Sequence, residues 1–104
     1  MVTEINDNTF GTEVYDSDKP VLVDFWAEWC APCKVAGRII DELSEEISEV
    51  KFVKIDVDTN PVAASSFRIS SIPTFILFKG NEEIATLHGL RTKEQFKNWI
   101  KEQA

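Results

Sequence analysis

The sequence is poor in the residues that brace small proteins. Its 104 residues hold two cysteines, one histidine and one methionine. A secreted disulfide scaffold needs more cysteines than that. A closed tetrahedral zinc site needs four Cys or His ligands, and the chain offers three. No apolar run approaches the ~20 residues that span a bilayer. Basic charge is also scarce: 11 Lys+Arg against 18 Asp+Glu give a net charge of −7. Such a chain repels phosphate backbones and anionic membrane surfaces, so neither nucleic acid nor a membrane is an expected partner. The first ten residues, MVTEINDNTF, carry no basic side chain. They read as neither a signal nor a transit peptide, and a cytoplasmic location is expected. There is no internal repeat, low-complexity tract or linker. With 43% hydrophobic and 28% charged residues, the chain reads as one globular domain over 1–104.

What is present alternates between strand and helix. Val2–Ile5 is a short strand candidate, and residues 8–16 read as a short helix opened by Asn8 or Thr9. Val21–Ala27 is a near-continuous apolar run, the pattern of a strand buried on both faces. From about Pro32 to Ile47, the residues Val35, Ile39, Ile40, Leu43 and Ile47 recur at helical spacing, with Gly37 a weak point. Lys51–Val57 alternates as a strand does. Asn60 then supplies an N-cap and Pro61 a first helical residue for a short helix to about Ser66. Thr74–Lys79 and Glu83–His88 form a hairpin about Gly80-Asn81. Thr92 and Gln95 make a capping box ahead of a last helix with Phe96, Trp99 and Ile100 on its apolar side. Strand, long helix, strand demands a parallel right-handed crossover, while the hairpin demands an antiparallel pair. The expectation is an α/β fold with a mixed sheet of about five strands and helices on both faces.

Cys30-Ala31-Pro32-Cys33 falls where the buried strand ends and the long helix begins. Positions i and i+3 of a helix share a face, within the Cα separation of about 4.4–6.8 Å that a disulfide needs. The helix N-terminus favours thiolate over thiol. A first thiolate that attacks a disulfide needs a second within reach to resolve the mixed disulfide. Two inert buried cysteines remain the alternative on spacing alone.

Val23–Lys34, VDFWAEWCAPCK, resembles the active-site strand and loop of the thioredoxin family, which usually reads W-C-G-P-C-K. The resemblance continues through Lys54, Asp58, Asn60-Pro61, Ile72-Pro73-Thr74, Leu77–Lys79 and Gly89, and so covers essentially the whole chain. It implies the thioredoxin fold: a central five-stranded mixed sheet in the order 1-3-2-4-5, flanked by four helices. It implies a general protein disulfide reductase in which Cys30 is the exposed attacking nucleophile and Cys33 the buried resolving thiol. Asp24, a carboxylate inside an apolar strand, becomes the buried acid/base that helps deprotonate Cys33, with Lys54 beside it. Read alone, Asp24 is an edge carboxylate bonded to backbone and Lys54 a solvent-facing strand lysine. Pro73 is implied to be cis, facing the disulfide, with the Ile72 backbone free to pair with an extended target. Trp29, Ala31, Pro32, Val57, Ile72, Gly89 and Leu90 fall where the family docks its targets. The expected partners are a thioredoxin reductase and disulfide-containing proteins, and the expected state is a monomer. No metal and no cofactor beyond the cysteine pair is implied.

Several residues depart from the family's pattern or read blandly. Ala31 replaces the usual Gly between the cysteines. Arg38 stands where many members have a helix-kinking Pro, which puts the kink in doubt. Gly80-Asn81 inverts the common Asn-Gly order and points to another turn type. His88 reads equally as a docking-surface contact or a solvated strand-end residue. The acidic residues between Asp41 and Glu49 read as a solvated face, and Lys93, Lys97 and Lys101 as a stripe needing no partner. Rival functions are a disulfide oxidase or isomerase, a metal-carrying C-x-x-C protein, and a docking subunit whose redox chemistry is incidental.

Overall fold

A computed structural model describes all of residues 1–104. Five strands form one sheet: β1 Thr3–Glu4, β2 Val21–Trp26, β3 Lys51–Asp56, β4 Thr74–Lys79 and β5 Glu82–His88. Their order is β1-β3-β2-β4-β5, as the family resemblance implies. β2 is parallel to β3 and antiparallel to β4, so the sheet is mixed and β2 is central. Its first five residues are all buried, which is why the strand reads as a continuous apolar run.

Alternation along β2 divides the core in two. Val21, Val23 and Phe25 pack with Phe10, Val14, Val53, Ile76 and Phe78 on one face. Leu22 packs with Ala36, Ile40, Leu43, Phe75, Phe96 and Ile100 on the other. Each fully buried side chain of this size contributes roughly 1.5–3 kcal/mol. Asp24 shares the face of Leu22, because strand side chains alternate with period two. It therefore points toward the layer of the long helix rather than into the first core.

That helix, α1 (Ala31–Glu46), starts one residue before the expected boundary and runs unbroken past Gly37 and Arg38. Its buried residues are Cys33, Ala36, Ile40 and Leu43. Val35, expected on the apolar stripe, is exposed. It lies about 100° around the helix from Ala36, outside the arc that faces the sheet.

The first helical segment is one turn of π-helix, Gly11–Tyr15, closed by Asp16 N–H to Gly11 O at 3.1 Å. Its entry is organised by Asn6 instead of Asn8 or Thr9: Asn6 Oδ1 accepts from Asn8 N–H at 2.9 Å and Thr9 N–H at 3.0 Å. α2 (Pro61–Ser66) occupies its expected span, but Asn60 makes no side-chain cap bond to it. Asp7 caps it instead, accepting from Val62 N–H at 3.1 Å and Ala63 N–H at 2.8 Å. Asn60 Oδ1 accepts Asp7 N–H at 2.8 Å, which holds the capping residue in place.

β4 and β5 pair through Lys79 and Glu82, leaving Gly80-Asn81 as a two-residue loop. Gly80 has φ 62° while Asn81 stays out of the left-handed region. Glycine at the first position of such a loop marks a type II′ turn, the inverted residue order read structurally. α3 (Lys93–Gln103) opens with the Thr92/Gln95 capping box in full. Lys93 sits at the start of α3, and its ammonium bridges Glu42 and Glu46 of α1. The lysine stripe and the acidic face are thus partners in part.

Candidate active site

The end of β2 delivers the chain to α1 through Ala27–Trp29. Cys30 N–H donates to Ala27 O at 3.2 Å, and Cys30 is the N-cap residue of α1. Cys30 and Cys33 are joined as a disulfide with their Cα atoms 5.2 Å apart. Cys33 N–H points at Cys30 Sγ across 3.2 Å. In the reduced protein the same N–H, at the positive end of a 16-residue helix, stabilises a thiolate on Cys30. Pro32 stands in the first turn, where a missing N–H costs no hydrogen bond.

The two cysteine residues differ little in exposure in the disulfide form. Cys30 is 4% exposed and Cys33 2%. Cys30, implied by the resemblance to be the exposed attacking thiolate, is buried in the disulfide form, where its sulfur is bonded to Cys33 and faced by Ile72. The residues beside it are open instead, with Trp29 71% exposed and Ala31 and Pro32 also at the surface.

Opposite the disulfide runs Ser71–Thr74. The Ile72–Pro73 peptide is cis. Ile72 O lies 3.9 Å from Cys30 Sγ, and neither Ile72 N–H nor its C=O takes a main-chain partner. An unpaired peptide edge beside the sulfur can accept an extended segment by strand addition. Gly89 N–H donates to Pro73 O at 2.8 Å, which brings Gly89 against the cis peptide and Leu90, 40% exposed, beside it. Gly89 has φ 87°, a conformation that side-chain-bearing residues rarely adopt. Trp29, Val57, Ile69 and Ile72 line a shallow groove along this edge. Trp29 Nε1–H donates to Asp58 Oδ2 at 2.8 Å, so the exposed indole is fixed. Sequence reasoning gave Asp58 no role. The signal lay in its position just past β3, beside the end of β2.

Behind the disulfide, Asp24 is 2% exposed and its Oδ1 has no hydrogen-bond partner. Burial pushes its carboxyl up to about 7, and the positive charge of Lys54 opposes that rise. Asp24 and Lys54 are register partners across β2 and β3. The ammonium makes no contact ion pair with the carboxylate but lies 5.4 Å from the centroid of the Trp26 ring. An open cleft of about 490 Å³ is lined by Asp24, Trp26, Cys33, Arg38 and Lys54, so the carboxyl and Cys33 share one approach. No group of three or more His, Cys, Asp or Glu side chains converges to hold a metal ion. A dithiol–disulfide pair, an open peptide edge and a carboxyl titrating near neutrality together suit thiol–disulfide exchange.

Comparison with known proteins points the same way. The family model described as Thioredoxin matches residues 1–102. A thioredoxin of Rickettsia prowazekii (strain Madrid E) is 48% identical over 101 residues, 96% of each chain. Thioredoxin 1 of Nostoc sp. is 45% identical over 87 residues, 83% of this chain and 81% of the relative. The bifunctional thioredoxin reductase/thioredoxin of Mycobacterium leprae is 45% identical over 94 residues, 89% of this chain but 20% of that longer protein. With its strand order, its cysteine pair and its whole length matched, the chain belongs to the thioredoxin family.

Proposed function

We propose that the protein is a general protein disulfide reductase that works through Cys30 and Cys33. The observation that carries this reading is the disulfide itself, set at a helix N-terminus and facing the unpaired peptide edge at Ile72. The Cys30 thiolate attacks one sulfur of a target disulfide. A Cys30–target bond forms and the other target sulfur leaves as a thiolate. Asp24, acting through water in the shared cleft, takes the Cys33 proton. The Cys33 thiolate then attacks Cys30 Sγ, releasing the second target thiolate and closing the Cys30–Cys33 disulfide. Two electrons have moved to the target, and the pair is its own redox centre without a further cofactor.

Lys54 holds the carboxylate form of Asp24 within reach of neutrality. Trp29, Ala31, Pro32, Val57, Ile72, Pro73, Gly89 and Leu90 form the surface that receives the target. A thioredoxin reductase restores the dithiol, a reading supported by the Mycobacterium leprae relative whose name joins both activities. The chain acts as a monomer in a reducing, cytoplasmic setting. No helix is long and apolar enough to cross a membrane.

The test is a Cys33→Ser variant mixed with disulfide proteins. It should accumulate a Cys30–target mixed disulfide that reductant releases, and sustained turnover by this variant would end the division of roles. Titration of the Cys30–Cys33 couple should give a potential below the cytosolic glutathione poise, roughly −220 to −260 mV. A value well above that poise makes the same fold an oxidant or isomerase. Replacing both cysteines with serine should abolish function, whereas a docking subunit would keep it.

A further inference from the structure

His88 is exposed at the end of β5, directly opposite Thr74 in the β4–β5 ladder. Thr74 is buried, and its Oγ1 lies 2.7 Å from Ser71 O and 3.1 Å from His88 Nδ1. A carbonyl oxygen can only accept. The single hydroxyl proton of Thr74 therefore goes to Ser71 O, which has no main-chain donor of its own. The hydroxyl then has only lone pairs left for His88. A 3.1 Å contact between that oxygen and Nδ1 is a hydrogen bond only if Nδ1 carries the proton. The geometry thus requires a proton on Nδ1, and in the neutral ring this leaves Nε2 as the lone-pair nitrogen.

The bond has a place in the site. Ser71 O and Thr74 Oγ1 are the two ends of the tetrapeptide that contains the cis peptide. Their link ties off the turn that carries Ile72. Gly89 N–H to Pro73 O, one residue beyond His88, holds the same turn from the end of β5. Arg91 Nη1 donates to His88 O at 2.9 Å, which fixes the His88 backbone in turn. We propose that His88 is a positioning residue for target docking: as the Nδ1–H form it donates to Thr74 Oγ1 and so orders the Ser71–Thr74 turn that presents the Ile72 peptide edge. The docking part rests on the reductase reading above, while the hydrogen bond itself does not.

The chain contains one histidine, so its ring nitrogens can be observed without assignment ambiguity. A long-range 1H–15N correlation spectrum of the full chain in alkaline buffer should show a protonated Nδ1 and a bare Nε2. A bare Nδ1 overturns the assignment. The kinetic arm uses His88→Asn, whose amide nitrogen can replace Nδ1 as donor, and His88→Leu, which cannot donate. With insulin as the disulfide protein, His88→Leu should raise KM about fivefold with kcat within twofold, the loss of about one hydrogen bond. His88→Asn should stay near the wild type. Both variants should reduce a small aromatic disulfide, which has no peptide to pair with Ile72, at the wild-type rate. Equal loss in the two variants, or equal loss on both substrates, overturns the positioning role. A wild-type chain that reduces no disulfide protein overturns the reductase reading and the docking role together. A bare Nδ1 in an active chain overturns His88 alone.

Discussion

Asp7 caps a helix whose first turn lies far along the chain: its Oδ1 accepts the amide proton of Ala63 at 2.8 Å, 56 residues away. With Val62 N–H on Oδ2 and Asn60 Oδ1 on its own amide, Asp7 is the centre of a three-bond lock between the N-terminal segment and α2. Replacing Asp7 with Ala should cost about 0.5–2 kcal/mol, as other N-cap losses do. In a domain of this size each kcal/mol lowers Tm by roughly 4–8 °C. Asp7→Asn should recover most of the loss, because Asn caps nearly as well. Thermal unfolding of the three proteins checks both statements, and the Cys30–Cys33 potential should not change.

Asp24 makes stability depend on pH in an uncommon direction. Its folded pKa is raised from 3.8 to about 7, so between these values the unfolded chain has released a proton that the folded chain still binds. Ionisation of the group therefore adds no cost below about pH 4. Its cost grows as pH rises to about 7 and is constant above, on the order of 4 kcal/mol at most. Asp24→Asn should be more stable than the wild type at pH 8, with the difference disappearing toward pH 4. Denaturant unfolding at the two pH values measures it. The same substitution should slow release of the target from the mixed disulfide and remove the rise of that step through pH 7.

Gly37 lies within α1, and a Cβ built on it meets nothing within 4 Å. Gly37→Ala should therefore stabilise the protein by roughly 0.5–1 kcal/mol, the difference in helix propensity. Urea unfolding should show a higher midpoint at an unchanged slope. A lower midpoint would show that the cleft beside Asp24 needs the open space.

Trp29 is the most exposed aromatic at the site and is held by one bond to Asp58. Trp29→Phe keeps an aromatic face and removes the donor. Stability should change by less than about 0.5 kcal/mol, as for most surface substitutions. KM for a disulfide protein should rise several-fold, because a loose ring must be ordered during docking. Steady-state kinetics beside a melting curve separates the two effects.

What the sequence revealed and what it hid differ in range. β2, α1, the hairpin and the Thr92/Gln95 box are set by residues within a few positions of one another, and each formed near its expected bounds. The cysteine pair was legible for the same reason, since its chemistry needs only a spacing of three and a helix start. The α2 cap was misplaced because the nearest capping residue, Asn60, is bonded to Asp7, Asp56 and Thr59 instead. The reach of Lys93 to Glu42 and Glu46 depends on how α3 lies against α1, which no local pattern encodes. Val35 was misassigned by spacing alone: it is apolar, but Ala36 faces the sheet. The low exposure of Cys30 depends on the opposing Ile72, 42 residues later.

The outer strands carry a consequence for aggregation. β1 is two residues long, and β5 begins with Glu82 and Glu83 and slips its register against β4 between Leu77 and Phe78. β1 is too short to offer a row of free amides and carbonyls, and β5 is guarded by its acidic start and its register slip. The accessible peptide edge at Ile72 is closed off by Pro73, which has no N–H to give. Cross-β stacking recruits segments of about six residues. The free backbone at Ile72 is thus too short to template a fibril.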